Sequence, residues 1–484
     1  METIHFKTVD PVSQDLLRGA SQKGLGLNWE RYEKQQPQDG FLRLGLSCPY
    51  GCMQGPCRID PYGRGADRGI CGLDRDGMAS AFLLRLALQG VLETMHAYQA
   101  VDGEIAWPAP LDKPAAAALA ATGGAPVSTG EILASAVMLA RPSATPEELV
   151  RQTVRLGLLG IGIAEAGRIA GKLSGTRGCR VGYGLLAGEA VTIGLAGRVP
   201  AAQVEALLKE TAGGKKPAVR LVSLGEWLPA GDGFLPIVCT SGEAETVVSS
   251  GKLSLLLVGP QCDPGIPALC ARMKIPVLMS SDNAVAAAVL KQAWAAFDGR
   301  VSSSFSPDAA LIGEGRVSIG EREIPAALKD GPSAKIALIG GADTLLQSLG
   351  HLPMELAKAL RGESLAVASW GDAALWMLKQ ELPVGILEAE EGPLTAVSAL
   401  AAAGKLSEIK GICFTGLRDC REFTRALGLA ALGMKVSLAM PLPLWGSEKV
   451  RTALRENLAA AGGILTHFDH PAQGEELLEW FLRA

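Results

Sequence analysis

The stretch "SCPYGCMQGPCRIDPYGRGADRGICG", residues 47–72, gathers four of the chain's ten cysteines, Cys48, Cys52, Cys57 and Cys71, within twenty-four positions. Their spacing is C-x3-C-x4-C-x13-C, with Gly51, Gly55, Gly63, Gly65, Gly69 and Gly72 around them. A [4Fe-4S] cubane needs four thiolates converging on one small object, and glycine lets the backbone curl tightly and turn its N–H groups toward the sulfurs. Zinc also accepts four thiolates, but its sites more often come as two short C-x2-C knuckles separated by a longer stretch, which this is not. The residues therefore favour iron–sulfur over zinc, and either over four unrelated buried thiols.

The rest of the chain narrows the setting. Its 484 residues are 48% hydrophobic with a net charge of −4, enough for substantial cores and two to four domains. No basic run with interleaved aromatics points to nucleic acid. The amino-terminal METIHFKTVDPVSQD lacks the order of a secretory signal, and no uninterrupted apolar stretch of membrane-spanning length is evident, so no membrane association is expected. The simplest compartment is a reducing cytoplasm, where the cysteines stay thiols.

Outward from the cysteine stretch, apolar residues recur at helical spacing over 78–101, 131–142 and 146–173, with a Pro/Ala/Gly-rich connection and one short helix over 108–126. After about residue 190 the pattern changes to short apolar runs alternating with amphipathic segments. Strands are expected at 191–197, 219–225, 235–241, 253–260 and 275–281, and again at 335–341, 364–370, 384–392, 410–416, 435–441 and 464–469. The fold class is α/β: a helical domain carrying the cysteine motif (1–190), then two doubly wound, Rossmann-like α/β domains (191–330 and 331–484), divided within the polar segment 299–333.

The run "CMQGPCRIDPYGRGADRGICGLDRDGMASAFLLRLALQG" resembles the cluster-binding segment of the anaerobic nickel–iron carbon monoxide dehydrogenases, a family grouped with the hybrid-cluster (prismane) proteins. In that family the segment holds a [4Fe-4S] cluster that relays electrons to and from a buried nickel–iron–sulfur site. The resemblance implies Cys48, Cys52, Cys57 and Cys71 as ligands of the relay cluster, although the first gap is one residue longer than the family's C-x2-C. It extends to 248–281, where Cys262 matches an active-site ligand, and to LPLWGSEKV (442–450), similar to a family segment near the end. The relatives' homodimeric state implies a homodimer here as well.

The departures from the family are as informative. Where its histidine ligand stands, this chain reads GLAGRVP (194–200). Its cysteine-bearing turns correspond to LIGGADT (338–344), VASWGDA (367–373) and FTGLRDC (414–420), which place Gly341 and Leu417 near ligand positions and displace Cys420 by three; VRLVSLGEW (219–227) also lacks the expected cysteine. A nickel–iron–sulfur cluster needs several soft donors at fixed angles, so nickel is not expected. No cysteine pair precedes the motif for a cluster shared between subunits, and only His96 remains of a histidine path after it, more simply read as a helix-face residue.

Of the other cysteines, Cys239, Cys262, Cys413 and Cys420 fall at or near expected strand ends, and Cys179 and Cys270 read as packing residues. A rebuilt second metal site would draw on Cys239, Cys262 and Cys420, against the plainer reading of buried thiols. The glycines of GLLGIGIAEAG (157–167) lie in a helical stretch without a preceding strand, so they fail as a dinucleotide fingerprint. Glu388, Glu390 and Glu391 read as a solvated edge.

Two functions follow. The first is a carbon monoxide dehydrogenase-like [4Fe-4S] electron-transfer or scaffold subunit, without the nickel cluster, exchanging electrons with a ferredoxin or a redox-enzyme subunit. The alternative is an oxidoreductase with a remodelled metal site at the crevice of the two α/β domains; carbon monoxide oxidation itself is in doubt.

Overall fold

Each of the eleven apolar runs expected as strands is a strand of one large sheet. The computed structural model describes residues 6–35, 46–52, 54–55, 57–60, 65–98, 104–171, 175–212, 218–280, 285–299, 305–319, 335–387 and 391–483; Gly63, Arg64, Glu388 and Glu390 lie outside them. The strands of the first half are Val191–Ala196, Val219–Leu224, Ile237–Cys239, Leu255–Val258 and Val277–Met279. Those of the second are Ile336–Gly341, Ala366–Trp370, Gly385–Leu387, Ile409–Gly416, Lys435–Leu438 and Ile464–His467. Taken in chain order, the first set lies 3-2-1-4-5 across the sheet and the second 3-2-1-4-5-6, every neighbouring pair within a set being parallel. This is the doubly wound order, with a switch point between the first and fourth strands of each set. Helices connect successive strands except between Val219–Leu224 and Ile237–Cys239, where the antiparallel pair Pro229–Ala230 and Gly233–Phe234 intervenes, and Val191–Ala196 and Ile336–Gly341 are buried throughout, which is why these strands read as unbroken apolar runs.

Two strands escape such a reading and join the halves. Gly175–Val181 pairs antiparallel with Gly313–Ile319 over seven residues, while the former runs parallel to Ile237–Cys239 and the latter to Gly385–Leu387. The halves thus share one hydrogen-bonded sheet. GTRGCRV and GEGRVSI carry glycine and charge between their apolar residues because part of each strand faces outward, so neither forms an apolar run. One lies in the stretch expected to be helical and the other in the stretch expected as a polar boundary.

The helices Arg75–Ala97, Ala109–Ala121, Gly130–Ala140 and Pro146–Gly171 pack onto the second half, sharing a core with Gly392–Ala402, Cys420–Ala431 and Glu448–Ala459. Pro146–Gly171 begins at a capping box: Thr145 Oγ1 accepts from Glu148 N (3.2 Å) and Glu148 Oε2 accepts from Thr145 N (2.8 Å). The glycines of 157–167 serve this packing. A Cβ on Gly157 would sit 3.0 Å from Gly428 N, one on Gly160 2.7 Å from Thr424 Cγ2, and one on Gly90 2.2 Å from Cys420 O. Three helices approach through these positions. Arg75–Ala97 is long and apolar enough to cross a membrane by length and composition alone, but charged residues interrupt it and 56% of its apolar window is buried in the core.

The amino-terminal helices Pro11–Gln22 and Asn28–Gln35 lie elsewhere, against the sheet halves. Ala20 and Leu27 pack into the core of the first half and Trp29 into that of the second. Beneath them Lys379 Nζ is ion-paired to Glu243 Oε2 (2.9 Å) and Asp10 Oδ2 (2.5 Å), and Ser13 Oγ donates to Glu243 Oε1 (2.5 Å). These charges are desolvated but mutually satisfied, which ties the amino terminus to both halves.

Candidate functional site

The cysteine loop is closed by a two-residue antiparallel pair, Leu46–Ser47 with Arg58–Ile59, which sets Cys48 and Cys57 side by side with Cys48 N donating to Cys57 O at 2.9 Å. Backbone N–H groups face the sulfurs: Gln54 N lies 3.4 Å from Cys52 Sγ, and Ile70 N 3.4 Å from Cys57 Sγ. Gly72, at φ +88°, turns the chain after Cys71, and Arg68 Nη1 holds that turn through Gly72 O at 2.9 Å. Asp74 then caps Arg75–Ala97, accepting from Gly77 N at 3.0 Å, and a Cβ on Gly77 would meet Leu73 Cδ1 at 2.4 Å. Glycine is what lets the loop lie against its helix.

Cys48 and Cys57 are half-buried, while Cys52 and Cys71 are exposed. Burial pushes the Cys48 thiol up, partly offset by the Tyr50 N–H, and the charges of Cys57, Cys71 and Cys52 push it further. The four sulfurs are electrostatic neighbours, but among the described residues no three His, Cys, Asp or Glu side chains are gathered as a metal-ligand set.

The segment LPLWGSEKV packs on this loop. Trp445 stands edge-on to Phe82 at 5.3 Å and contacts the cluster of Ile59, Met78, Cys48 and Cys57, and Ser447 Oγ donates to Asp76 Oδ1 at 2.7 Å. The two stretches that resemble one family are therefore in contact. Asp76 and Trp445 were not singled out from sequence; nothing local in either marks it.

A second feature lies at the carboxyl ends of the strands. A cavity of 580 Å³ is lined by residues that follow strands of both halves, including Arg198, Glu226, Asp372 and Arg418, and by Glu93 from Arg75–Ala97. Arg418 Nη2 pairs with Glu226 Oε1 at 2.7 Å. Asp372 accepts from Ser241 N (3.0 Å) and Asp343 N (2.9 Å), and burial pushes its carboxyl up. Arg425 forms a bidentate pair with Glu391 (2.7 and 3.1 Å), so Glu391 is a buried partner and not a solvated edge. Burial and the nearby Asp419 push Glu422 to about 8. Charged residues just past strand ends are the signal in the sequence that marks this crevice.

The cysteines outside the loop stay apart. Cys239 is buried beside Glu243 and Lys379, Cys262 is half-buried near Asp263 and Glu226, and Cys420 opens the helix Cys420–Ala431 beside Glu93. The structure does not bring Cys239, Cys262 and Cys420 together as a ligand set among the described residues. Cys413 lies within Ile409–Gly416 and not at its end, facing a core with its thiol pushed up to about 12 by burial. Cys179 and Cys270 are buried. His96 is in the last turn of Arg75–Ala97.

The chain matches no protein-family model. Carbon monoxide dehydrogenase 1 of Methanosarcina mazei is 45% identical over 101 residues, 21% of this chain, and carbon monoxide dehydrogenase 1 of Carboxydothermus hydrogenoformans is 45% identical over 83 residues, 17% of this chain. Those stretches span only 16% and 13% of the two relatives. The fold match is far longer. Carbon monoxide dehydrogenase IV of Carboxydothermus hydrogenoformans superposes with a TM-score of 0.79 at 18% identity, covering 98% of each chain. A nickel-free carbon monoxide dehydrogenase from Thermococcus sp. AM4 superposes with a TM-score of 0.80 at 17% identity, covering 99% of this chain and 98% of that one. The chain thus shares a short stretch of sequence with carbon monoxide dehydrogenases and, from end to end, the fold of solved ones.

Proposed function

We propose that the chain is an iron–sulfur redox protein in which Cys48, Cys52, Cys57 and Cys71 hold a [4Fe-4S] cluster, and that it passes electrons to a ferredoxin or a redox-enzyme subunit without a nickel–iron–sulfur cluster in its crevice. The observation that carries this reading is the separation of donor types: soft thiols share one loop, while the crevice is lined by guanidinium and carboxyl groups. Four thiols are the donor type a cubane takes, and N–H groups face Cys52 Sγ and Cys57 Sγ. When bound, the cluster supplies one-electron storage. The loop's own part is to keep Cys52 and Cys71 at the surface, beside Ile70, which is 72% exposed, so that a partner can approach within short range. N–H donation to the sulfurs and nearby Arg68 and Arg85 favour the reduced state by countering its added charge. In this reading the three parts are a cluster-bearing helical portion (1–190) and two Rossmann-like portions (191–330, 331–484), working in a reducing cytoplasm, with a homodimer carried over from the relatives.

The alternative, an oxidoreductase acting at the crevice, draws support from the cavity itself but not from any thiol ligand set there.

The test is electron exchange. Protein reconstituted with iron and sulfide and reduced by dithionite should be reoxidised by added ferredoxin, and should not reduce viologen when given carbon monoxide. Carbon monoxide-dependent viologen reduction would replace this function with the dehydrogenase itself.

A further inference from the structure

Three of the four loop sulfurs are met by backbone donors. Gln54 N lies 3.4 Å from Cys52 Sγ, Ile70 N lies 3.4 Å from Cys57 Sγ, and the Tyr50 N–H faces Cys48 Sγ. Cys71 Sγ takes no such donor among the described residues. The same loop nevertheless holds a donor that is unused. Tyr50 is only 7% exposed, and its hydroxyl is buried without a hydrogen-bond partner among the described residues. A hydroxyl that gives up water and gains nothing in return is costly, so an orphan of this kind calls for a partner that the polypeptide does not itself supply.

The surroundings of Tyr50 say what that partner is. Its ring belongs to the core built around Arg75–Ala97 and Pro146–Gly171, and Cys48 and Leu73 pack against that core. Arg85 Nη1 donates to Pro49 O at 3.4 Å, which pins the backbone beside Tyr50 to the helix. The charges that bear on the hydroxyl are those of Cys48 and Cys71. Tyr50 also occupies the first gap of the cysteine motif, Cys48-Pro49-Tyr50-Gly51-Cys52, the gap that is one residue longer than C-x2-C.

We propose that the Tyr50 O–H is a hydrogen-bond donor to the cluster, on its Cys48–Cys71 side, and that it raises the cluster's reduction potential. This inference rests on the reading that the four cysteines hold a [4Fe-4S] cluster.

The sign follows from charge. Reduction adds negative charge to the cluster, and a donor aimed at its sulfurs binds more strongly as that charge grows, so the reduced state gains more than the oxidised one. A phenol suits the task because it presents one O–H from a rigid ring whose position the core fixes, and phenylalanine offers the same ring without the donor.

The test is a redox titration of the full-length, iron-reconstituted protein, followed by electron paramagnetic resonance, with the parent and Tyr50→Phe compared at equal iron content. Tyr50→Phe should hold about four irons per chain. Its midpoint should move to more negative potential by a roughly tenfold change in the ratio of reduced to oxidised protein, which is about 59 mV for one electron. Electron–nuclear double resonance of the reduced parent in H2O and D2O should show an exchangeable proton coupled to the cluster that Tyr50→Phe lacks. Replacing Tyr50 by 3-fluorotyrosine, a stronger donor of nearly the same size, should move the midpoint the other way, and it decides the matter if circular dichroism shows that Tyr50→Phe does not fold. An unmoved or more positive midpoint in Tyr50→Phe, the same exchangeable protons in both proteins, or an unmoved midpoint with 3-fluorotyrosine would overturn the inference. A parent with four irons and one of those results overturns this inference alone, whereas a parent without a cubane signal overturns the cluster reading with it.

Discussion

Ser447 Oγ donates to Asp76 Oδ1 at 2.7 Å while accepting from Val450 N at 3.2 Å, so one hydroxyl both caps the helix Glu448–Ala459 and ties it to the first turn of the helix that follows the cysteine loop. The residues are 371 positions apart in the chain. Ser447 is fully buried, so neither bond is replaced by water when the side chain is removed.

Ser447→Ala is therefore expected to lower unfolding free energy by about 1–2 kcal/mol, measured by urea denaturation, and to speed loss of iron to a chelator. Thr145→Ala removes a cap of comparable strength on Pro146–Gly171, away from the loop, and should cost about 1 kcal/mol without changing chelation. Equal chelation rates in the two variants would show that the Asp76 contact does not support the loop.

Cysteine replacement separates the loop from the other thiols. Cys57→Ser, which removes the sulfur facing Ile70 N, should reduce bound iron to well under half of the parent value by colorimetric assay, because an alkoxide is a poor substitute for thiolate. Cys270→Ala, at a buried packing position, should leave the iron content unchanged.

Helix contact through glycine predicts opposite signs at two sites. A Cβ on Gly428 would lie 2.4 Å from Gly157 O and 2.3 Å from Ile161 Cγ1, so Gly428→Ala should destabilise by roughly 1–3 kcal/mol through overpacking. Gly19, inside Pro11–Gln22, has nothing within 4 Å of that position, and Gly19→Ala should stabilise by about 0.5–1 kcal/mol. Thermal melts decide both.

Burial and Asp419 raise Glu422 from an ordinary 4.5 to about 8. Between those values the folded chain binds more protons than the unfolded one, so this group's contribution to stability is fully present below about pH 4.5 and is lost as pH rises through about 8. Glu422→Gln cannot ionise. Its stability relative to the parent should therefore improve steadily from pH 5 to pH 8, as read from denaturation midpoints; a pH-independent difference would mean that Glu422 titrates normally.

The strands of both halves were readable because burial on two faces leaves an unbroken apolar run, as in LSLLLVGP. The seam strands were not, because GTRGCRV and GEGRVSI are only partly covered and carry their pairing in backbone hydrogen bonds, which leave no mark on side-chain type. Four cysteines close in sequence announced the loop. The cavity was hidden for the reverse reason: Glu93, Arg198, Trp227 and Arg421 come from distant segments, and only the sheet brings them together. Arg425 and Glu391 show the same limit, since a charge in sequence does not reveal that its partner is buried with it.

The most direct test of the central claim is to purify the chain anaerobically and count iron, acid-labile sulfide and nickel per polypeptide, with electron paramagnetic resonance of the reduced protein alongside. One four-cysteine site predicts about four irons, about four sulfides, no nickel and a single cubane signal. Stoichiometric nickel, or iron well above that count, would contradict the account and place a second metal centre in this chain.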